Sequence, residues 1–284
     1  MKAACIVLTA GDRPAETARA LASVLDQTAH PEVLLVANGC PAPQVPDGVG
    51  VLELPDNIGP AGARNRAAEH TAADILFFLD DDTAYADREH VARALELFAR
   101  DPSLGVVSFR VDDPDGRAPQ RRHVPRLRAG DPERSSDVTT FLEGACALRR
   151  ELFDHLGGYP ESFFFGHEGT DLAWRAIDAG WRIRYTGELT VHHPAEPPTR
   201  HAFHHRMTTR NRVLLARRLL PWPLVPVYLL TWFVLGLARA GSLAATRDVV
   251  RGFADGLRAD QQTRRPISWR AVWRMTKAGR PPII

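Results

Sequence analysis

The chain reads as an α/β protein of the Rossmann-like kind, with a mostly parallel central sheet, flanking helices and a C-terminal helical segment suited to a membrane surface. Three observations lead there. Short apolar runs of strand length alternate with helical stretches through the first 110 residues, the pattern of βαβ units and parallel pairing. Polar residues gather where the apolar runs stop, and open parallel sheets bind ligands at those carboxyl ends. Residues 219–238 carry no charge, and the tail beyond them is basic.

Residues 4–8 form the first strand, followed by the turn Thr9-Ala10-Gly11-Asp12-Arg13-Pro14. Pro14 suits a first helical turn, and Leu21, Val24 and Leu25 fall at helical spacing up to about Gln27. Residues 33–36 are a second strand that runs out at Ala37-Asn38-Gly39, and residues 49–54 are a third. Asn57-Ile58-Gly59-Pro60-Ala61-Gly62 opens a helix carrying Arg64, Asn65 and Arg66. Residues 75–79 then have the aromatic and branched content of a strand buried on both faces, and end abruptly in Asp80-Asp81-Asp82. Three adjacent carboxylates repel one another, so they call for a compensating cation or donor-rich ligand, or else for full solvation. Mg²⁺ or Mn²⁺ fits the first case, because a hard cation takes carboxylate oxygens and shares its other positions with phosphates. Thr9 and Asn38 end neighbouring strands, and that convergence favours a ligand site over a solvated turn.

A helix over about 87–100 follows, then a strand over 104–111. Residues 112–137 are rich in Pro, Arg and Asp without apolar period, which is a substrate lid or a variable surface insertion. Residues 138–149 read as a strand with Gly144 for close approach, and 151–156 as a short helix stopped by Gly157-Gly158. The run Phe163-Phe164-Phe165-Gly166-His167-Glu168-Gly169-Thr170-Asp171 leads into a helix to about Ala179, with Thr170 or Asp171 as its cap. Two acids at a helix start, beside aromatics and a histidine, point to a site rather than to capping alone. Residues 181–185 are a strand, followed by Val191-His192-His193-Pro194. His193 is a candidate third metal ligand or a ring bonded to a nearby carbonyl. Arg210, in Thr208-Thr209-Arg210-Asn211-Arg212, is a candidate phosphate clamp or part of a polar helix face near a membrane.

Across 284 residues the formal net charge is +2, too small to suggest nucleic acid as a partner. Three cysteines without metal-site spacing fit a reducing compartment, and the apolar start is too short for a signal peptide. The expected location is therefore the cytoplasmic face of the cell membrane. Pro221, Pro223 and Pro226 break the uncharged run, while Trp222, Tyr228 and Trp232 suit an interface. Arginines on both sides of the run argue against a simple span, so the expectation is an in-plane or re-entrant segment. The basic tail, with Trp269 and Trp273, fits an anionic leaflet.

Taken together and in order, these residues resemble the inverting family-2 glycosyltransferases of the GT-A fold, over roughly residues 3–215. The resemblance is carried by Ile6-Val7-Leu8-Thr9 with Arg13, Leu35-Val36-Ala37-Asn38-Gly39, Asn57-Ile58-Gly59 with Gly62-Ala63-Arg64-Asn65, and Asp80-Asp81-Asp82. It continues through Gly144-Ala145, Gly157-Gly158-Tyr159 and Glu168 to Arg175. It implies a catalytic domain over 1–205, with a donor half at about 1–110 and an acceptor half at about 138–205, and an appendage over 206–284. It implies transfer of a hexose or deoxyhexose from a nucleotide-diphosphate sugar (UDP favoured, dTDP or GDP as alternatives) to a glycan or lipid-linked acceptor. By the same resemblance Asp80 and Asp82 hold the divalent metal, joined by His193 on the reading above. Thr9, Arg13, Asn38, Arg64 and Asp81 line the donor, with Arg210 toward a phosphate. Glu168 and Asp171 supply the base. The usual Glu-Asp-x-Asp stands here as Glu168-Gly169-Thr170-Asp171, without its middle acid. Two rivals remain at this stage, a sugar-nucleotide nucleotidyltransferase and an inactive nucleotide-binding scaffold. The first would want a glycine-rich phosphate loop after the first strand, which Thr9-Ala10-Gly11-Asp12-Arg13-Pro14 is not.

Overall fold

A computed structural model describes residues 1–118, 120–126, 130–194, 203–260 and 263–283. Its centre is one sheet. The strands are β1 (Ala3–Thr9), β2 (Glu32–Asn38), β3 (Val49–Leu54), β4 (Ile75–Asp80), β5 (Ala84–Tyr85), β6 (Leu104–Asp112), β7 (Ser136–Asp137), β8 (Ala145–Arg149) and β9 (Arg182–His192). Their order is β3-β2-β1-β4-β8-β6-β9-β5, with β7 beside β9. The first four strands of that order pair in parallel. Beyond them the sheet is mixed rather than mostly parallel: β8 runs antiparallel to both β4 and β6. The reason is connectivity. No α-helix lies between β6 and β8 among the described residues, only a short 3-10 turn at Arg121–His123, and a chain returning without a helical crossover pairs antiparallel.

Both faces of the middle of the sheet are covered, which is why β1, β2, β4 and β8 are apolar nearly throughout, whereas the edge strand β3 is partly exposed. In β4, Ile75, Phe77 and Leu79 join one core with Leu21, Val24, Val91 and Phe98 from α1 (Pro14–Leu25) and α3 (His90–Arg100). Leu76 and Phe78 join the other, with Ala61, Ala63 and Ala67 of α2 (Gly59–Glu69), Leu152 of α4 (Arg150–Leu156), and Leu172 and Ala173 of α5 (Glu168–Asp178). Phe77 and Phe78 are fully buried, and each such side chain contributes roughly 1.5–3 kcal/mol through burial. Register then sets the site. Leu8 pairs with Asp80 and Thr9 with Ala37, so three strands end side by side.

The C-terminal helices are α6 (His204–Leu219), α7 (Leu224–Arg239), α8 (Leu243–Arg258) and α9 (Trp269–Lys277). Leu214, Leu215, Tyr228, Ile267 and Met275 continue the second core. Gly252 and Gly256 let α8 lie directly on the α6 backbone, since a Cβ at either would overlap it. Arg274 of α9 donates to the carbonyls of Ile177, Gly180 and Trp181 at the end of α5. Tyr228 and Trp232, expected at an interface, instead turn inward. Tyr228 packs on Trp174, and the Arg212 guanidinium stacks 3.4 Å from the Trp232 ring centroid. Trp222, Trp269 and Trp273 remain exposed. No helix among the described residues is long and apolar enough to cross a membrane.

Candidate active site

The aspartate triplet begins at the last residue of β4, at the carboxyl end of the sheet's centre, and each carboxylate takes a different partner. Asp80 accepts from Arg64 Nη2 at 2.7 Å, and its side chain is 43% exposed. Asp81 accepts from the Thr9 hydroxyl at 2.6 Å. Burial pushes the Asp81 carboxyl up to about 7, with Asp80 and Asp82 raising it further against the Thr9 bond and Arg13. Asp82, almost wholly buried, pairs with Arg13 through one oxygen and lies 3.2 Å from His193 Nε2 through the other. Burial raises its carboxyl, while His193 and Arg13 oppose the rise. Close approach at Asp80 depends on Gly144, where any Cβ would overlap the carboxylate.

His193 reaches the triplet because β5 turns back to pair with the end of β9, Ala84 opposite His192. Its Nδ1 lies 2.7 Å from the Pro194 carbonyl, so the ring bonds a carbonyl and faces Asp82 at once. With Nδ1 held on a carbonyl, Nε2 is the ring nitrogen aimed at Asp82 and the one that could be offered to a metal. Among the described residues no group of three or more His, Cys, Asp or Glu side chains forms a metal cage. The Asp82–His193 pair could offer one oxygen and one nitrogen to a divalent cation, a donor set that suits Mn²⁺ better than oxygen-preferring Mg²⁺. The His193 ring in turn meets that of His123 at 5.4 Å, so the long loop over 112–137 packs on this corner. Residues 119 and 127–129 of that loop lie outside the described residues.

Thr9 and Asn38 are already engaged. Thr9 holds Asp81, while Asn38 donates to Asn57 Oδ1 at 3.1 Å and accepts the Ile58 N–H at 3.0 Å. Gly39, with φ +76°, lets Asn57 press against the strand end. Both side chains are therefore spent on ordering the turns at the ends of β1 and β2. Arg210 lies elsewhere: it donates to Ser162 O and Asn211 Oδ1, and Asn211 donates to the carbonyls of Phe163, Phe165 and Gly166. These two residues brace the aromatic loop that leads into α5.

The helix α5 begins at Glu168, a turn earlier than the sequence indicates, and neither Thr170 nor Asp171 caps it. His167 precedes it in the left-handed conformation, φ 70°. The Gly169 N–H is satisfied from outside, by Glu143 Oε1 at 2.8 Å. Asp171 sits fully buried inside the first turn, bound by Arg175 Nε at 2.6 Å and facing Arg218 Nε at 3.4 Å. Glu168 is 4% exposed, 4.0 Å from Arg64 Nη1, and its Oε2 makes no hydrogen bond. Burial pushes its carboxyl up to about 8, Glu143 adds to the rise, and Arg64 opposes it. Burial alone would lower the Arg64 guanidinium, but Asp80, Tyr159, Glu168 and Glu143 hold it firmly charged.

Arg64 thus joins the triplet to Glu168, with Glu143 beside them. Glu143 was not legible as a site residue, because it is one acid inside an apolar run. Its only signal is the glycine that follows it. The arrangement has two chemically distinct sides: a cation- and arginine-ready corner able to hold phosphates, and a buried carboxyl with an unengaged oxygen able to take a proton.

The chain is 31% identical over 176 residues to the pre-mycofactocin glycosyltransferase of Mycobacterium tuberculosis, covering 57% of this chain and 37% of that protein. It thus spans little more than a third of that relative's length. It is 28% identical over 281 residues to the N-acetylglucosaminyl-diphospho-decaprenol L-rhamnosyltransferase of the same organism, covering 82% and 89%. Its fold matches a mannosyltransferase of Pyrobaculum calidifontis solved with GDP-Man and Mn²⁺, at TM-score 0.57 and 20% identity, covering 98% and 84%. The description "Glycosyl transferase family 2" matches residues 5–157, just over half of the chain, and the protein belongs to that family.

Proposed function

We propose that this glycosyltransferase moves a sugar, with inversion, from a nucleotide-diphosphate donor to a saccharide carried on a lipid diphosphate at the cytoplasmic membrane surface. The observation that carries this reading is the division of the site across Arg64. Asp80, Asp82 and Arg13 stand on one side and Glu168, with a free buried oxygen, on the other. Inverting transfer needs those two functions on opposite sides of the reacting carbon: charge stabilisation for the departing diphosphate and a base for the acceptor hydroxyl. The lipid-diphosphate acceptor and a deoxyhexose such as rhamnose are suggested by the relative that aligns with most of this chain. The donor nucleotide stays among UDP, dTDP and GDP.

In this reading Asp82 and His193 would hold a divalent cation, with the exposed Asp80 carboxylate nearby, and a cation there would supply positive charge to the diphosphate leaving group. Arg13 and Arg64 add fixed positive charge there. Asp81 and Thr9 buttress the triplet, Asn38 orders the turn at Asn57, and Arg210 supports the acceptor-side loop. Glu168 takes the acceptor proton, and Asp171, locked between Arg175 and Arg218, holds α5 in place. The membrane contact falls to the exposed Trp222, Leu230, Val234, Trp269 and Trp273, with neighbouring arginines toward anionic lipid headgroups.

The test is a panel of nucleotide sugars followed by thermal shift with Mn²⁺ present, on the wild type and Asp82→Asn. One donor should raise the melting temperature of the wild type, and the variant should lose that rise while melting normally alone. A variant that binds the same donor and turns over in the presence of chelator contradicts the metal role.

A further inference from the structure

Residue 169 is where the chain departs from the Glu-Asp-x-Asp pattern, and the group standing there in space is Glu143. Its Oε1 accepts the Gly169 N–H at 2.8 Å, and a Cβ built on Gly169 would overlap the Glu143 carboxyl group. A side chain at 169 and the carboxyl of Glu143 therefore exclude each other. Glu143 comes from the segment that enters β8, next to the Gly144 that admits Asp80, and it faces the same guanidinium as Glu168. The charged and titratable groups acting around Glu168 are Glu143 from that segment, Arg64 from α2, Asp80 from β4 and Tyr159 from the turn after α4.

We propose that Glu143 is a positioning residue for proton transfer at Glu168, supplying from another part of the chain the carboxylate that the resembled motif carries at residue 169. It acts in two ways. Its bond to the Gly169 amide fixes the first turn of α5 and hence the direction of the Glu168 side chain. Burial raises the Glu143 carboxyl too, with Arg64 opposing the rise, and when ionised its like charge makes ionised Glu168 a stronger proton acceptor. Through the reaction the acceptor hydroxyl oxygen bonds to the anomeric carbon and its proton passes to Glu168. The bond from that carbon to the diphosphate oxygen breaks, with its electron pair leaving on the diphosphate. Glu143 exchanges no proton with either substrate. The inference rests on the reading of Glu168 as base.

Helix capping alone would also explain the Glu143–Gly169 bond, so the test must separate charge from capping. Glu143→Gln keeps a carbonyl oxygen for the amide and removes the charge. The acidic limb of kcat/KM for acceptor should move down by about one pH unit or more, with a several-fold lower plateau. A limb that stays put means a cap and nothing more, and overturns the proposal. The second arm relocates the carboxylate. Gly169→Asp alone should melt lower than the wild type because of the overlap. The double variant E143A/G169D should recover at least tenfold in kcat over E143A and restore the limb. A folded double variant no better than E143A overturns the proposal; should it not fold, the Glu143→Gln limb decides. Glu168→Gln is assayed alongside. Wild-type turnover there brings down the base reading and this inference together, whereas a dead Glu168→Gln with no recovery in the double variant brings down this inference only.

Discussion

A carboxylate that takes a proton from an acceptor hydroxyl has to stand free of a tight cation partner, and at the residue scale that separates the two acids of α5. Asp171 is fully buried and bound at 2.6 Å by Arg175, so its charge is spent inside the fold. Glu168 has Arg64 only at 4.0 Å and one oxygen unengaged. Glu168→Gln should therefore lower kcat by orders of magnitude and leave donor affinity nearly unchanged, since the interaction lost is one made in the transition state. The pH dependence follows from its carboxyl standing near 8. A base works ionised, so kcat/KM for acceptor should rise with pH through about 8 and fall about tenfold per unit below it. A profile flat from pH 6 to 9 in the wild type, or an active Glu168→Gln, contradicts the assignment.

At the scale of elements, α5 is fixed by groups that no local pattern announces. Its first-turn amide is satisfied by Glu143, its buried aspartate by Arg175 and Arg218, and its end by Arg274. Asp171→Asn leaves two arginines beside a neutral amide, and breaking a buried pair from one side costs about 3–5 kcal/mol. Thermal melting should show that loss, and kcat should fall with it. An unshifted melting curve would remove Asp171 from the structural role. The strands were legible because runs such as Ile75 to Leu79 are buried on both faces, and the convergence of Thr9, Asn38 and Asp80 followed from where such runs stop. The helix start at Glu168 was not, because the cap comes from Glu143, 26 residues away. Nor was the antiparallel β8, whose direction depends on the long loop before it.

For the whole molecule, α6, α7 and α9 continue the core, with Leu214, Tyr228 and Met275 buried beside Trp174 and Leu172, and α8 lies on the backbone of α6. The composition of residues 219–238 revealed an apolar segment but not its facing, and the inward turn of Tyr228 and Trp232 was set by Trp174 and Arg212. Among the apolar side chains left outward are Trp222, Trp269 and Trp273. Replacing all three with serine should leave the melting temperature within a few degrees and release the protein from vesicles containing anionic lipid. Equal binding by variant and wild type would refute the membrane contact.

The central claim, inverting transfer to a lipid-diphosphate saccharide, is tested most directly by the anomeric configuration of the product. The full chain, supplied with Mn²⁺, a donor from the panel and a saccharide on a short prenyl diphosphate, should form a glycoside whose anomeric configuration, read by NMR, is opposite to that of the donor. Glu168→Gln should form none at a comparable rate. A product with the donor's own configuration, or no transfer from any donor while donor binding is intact, would contradict it.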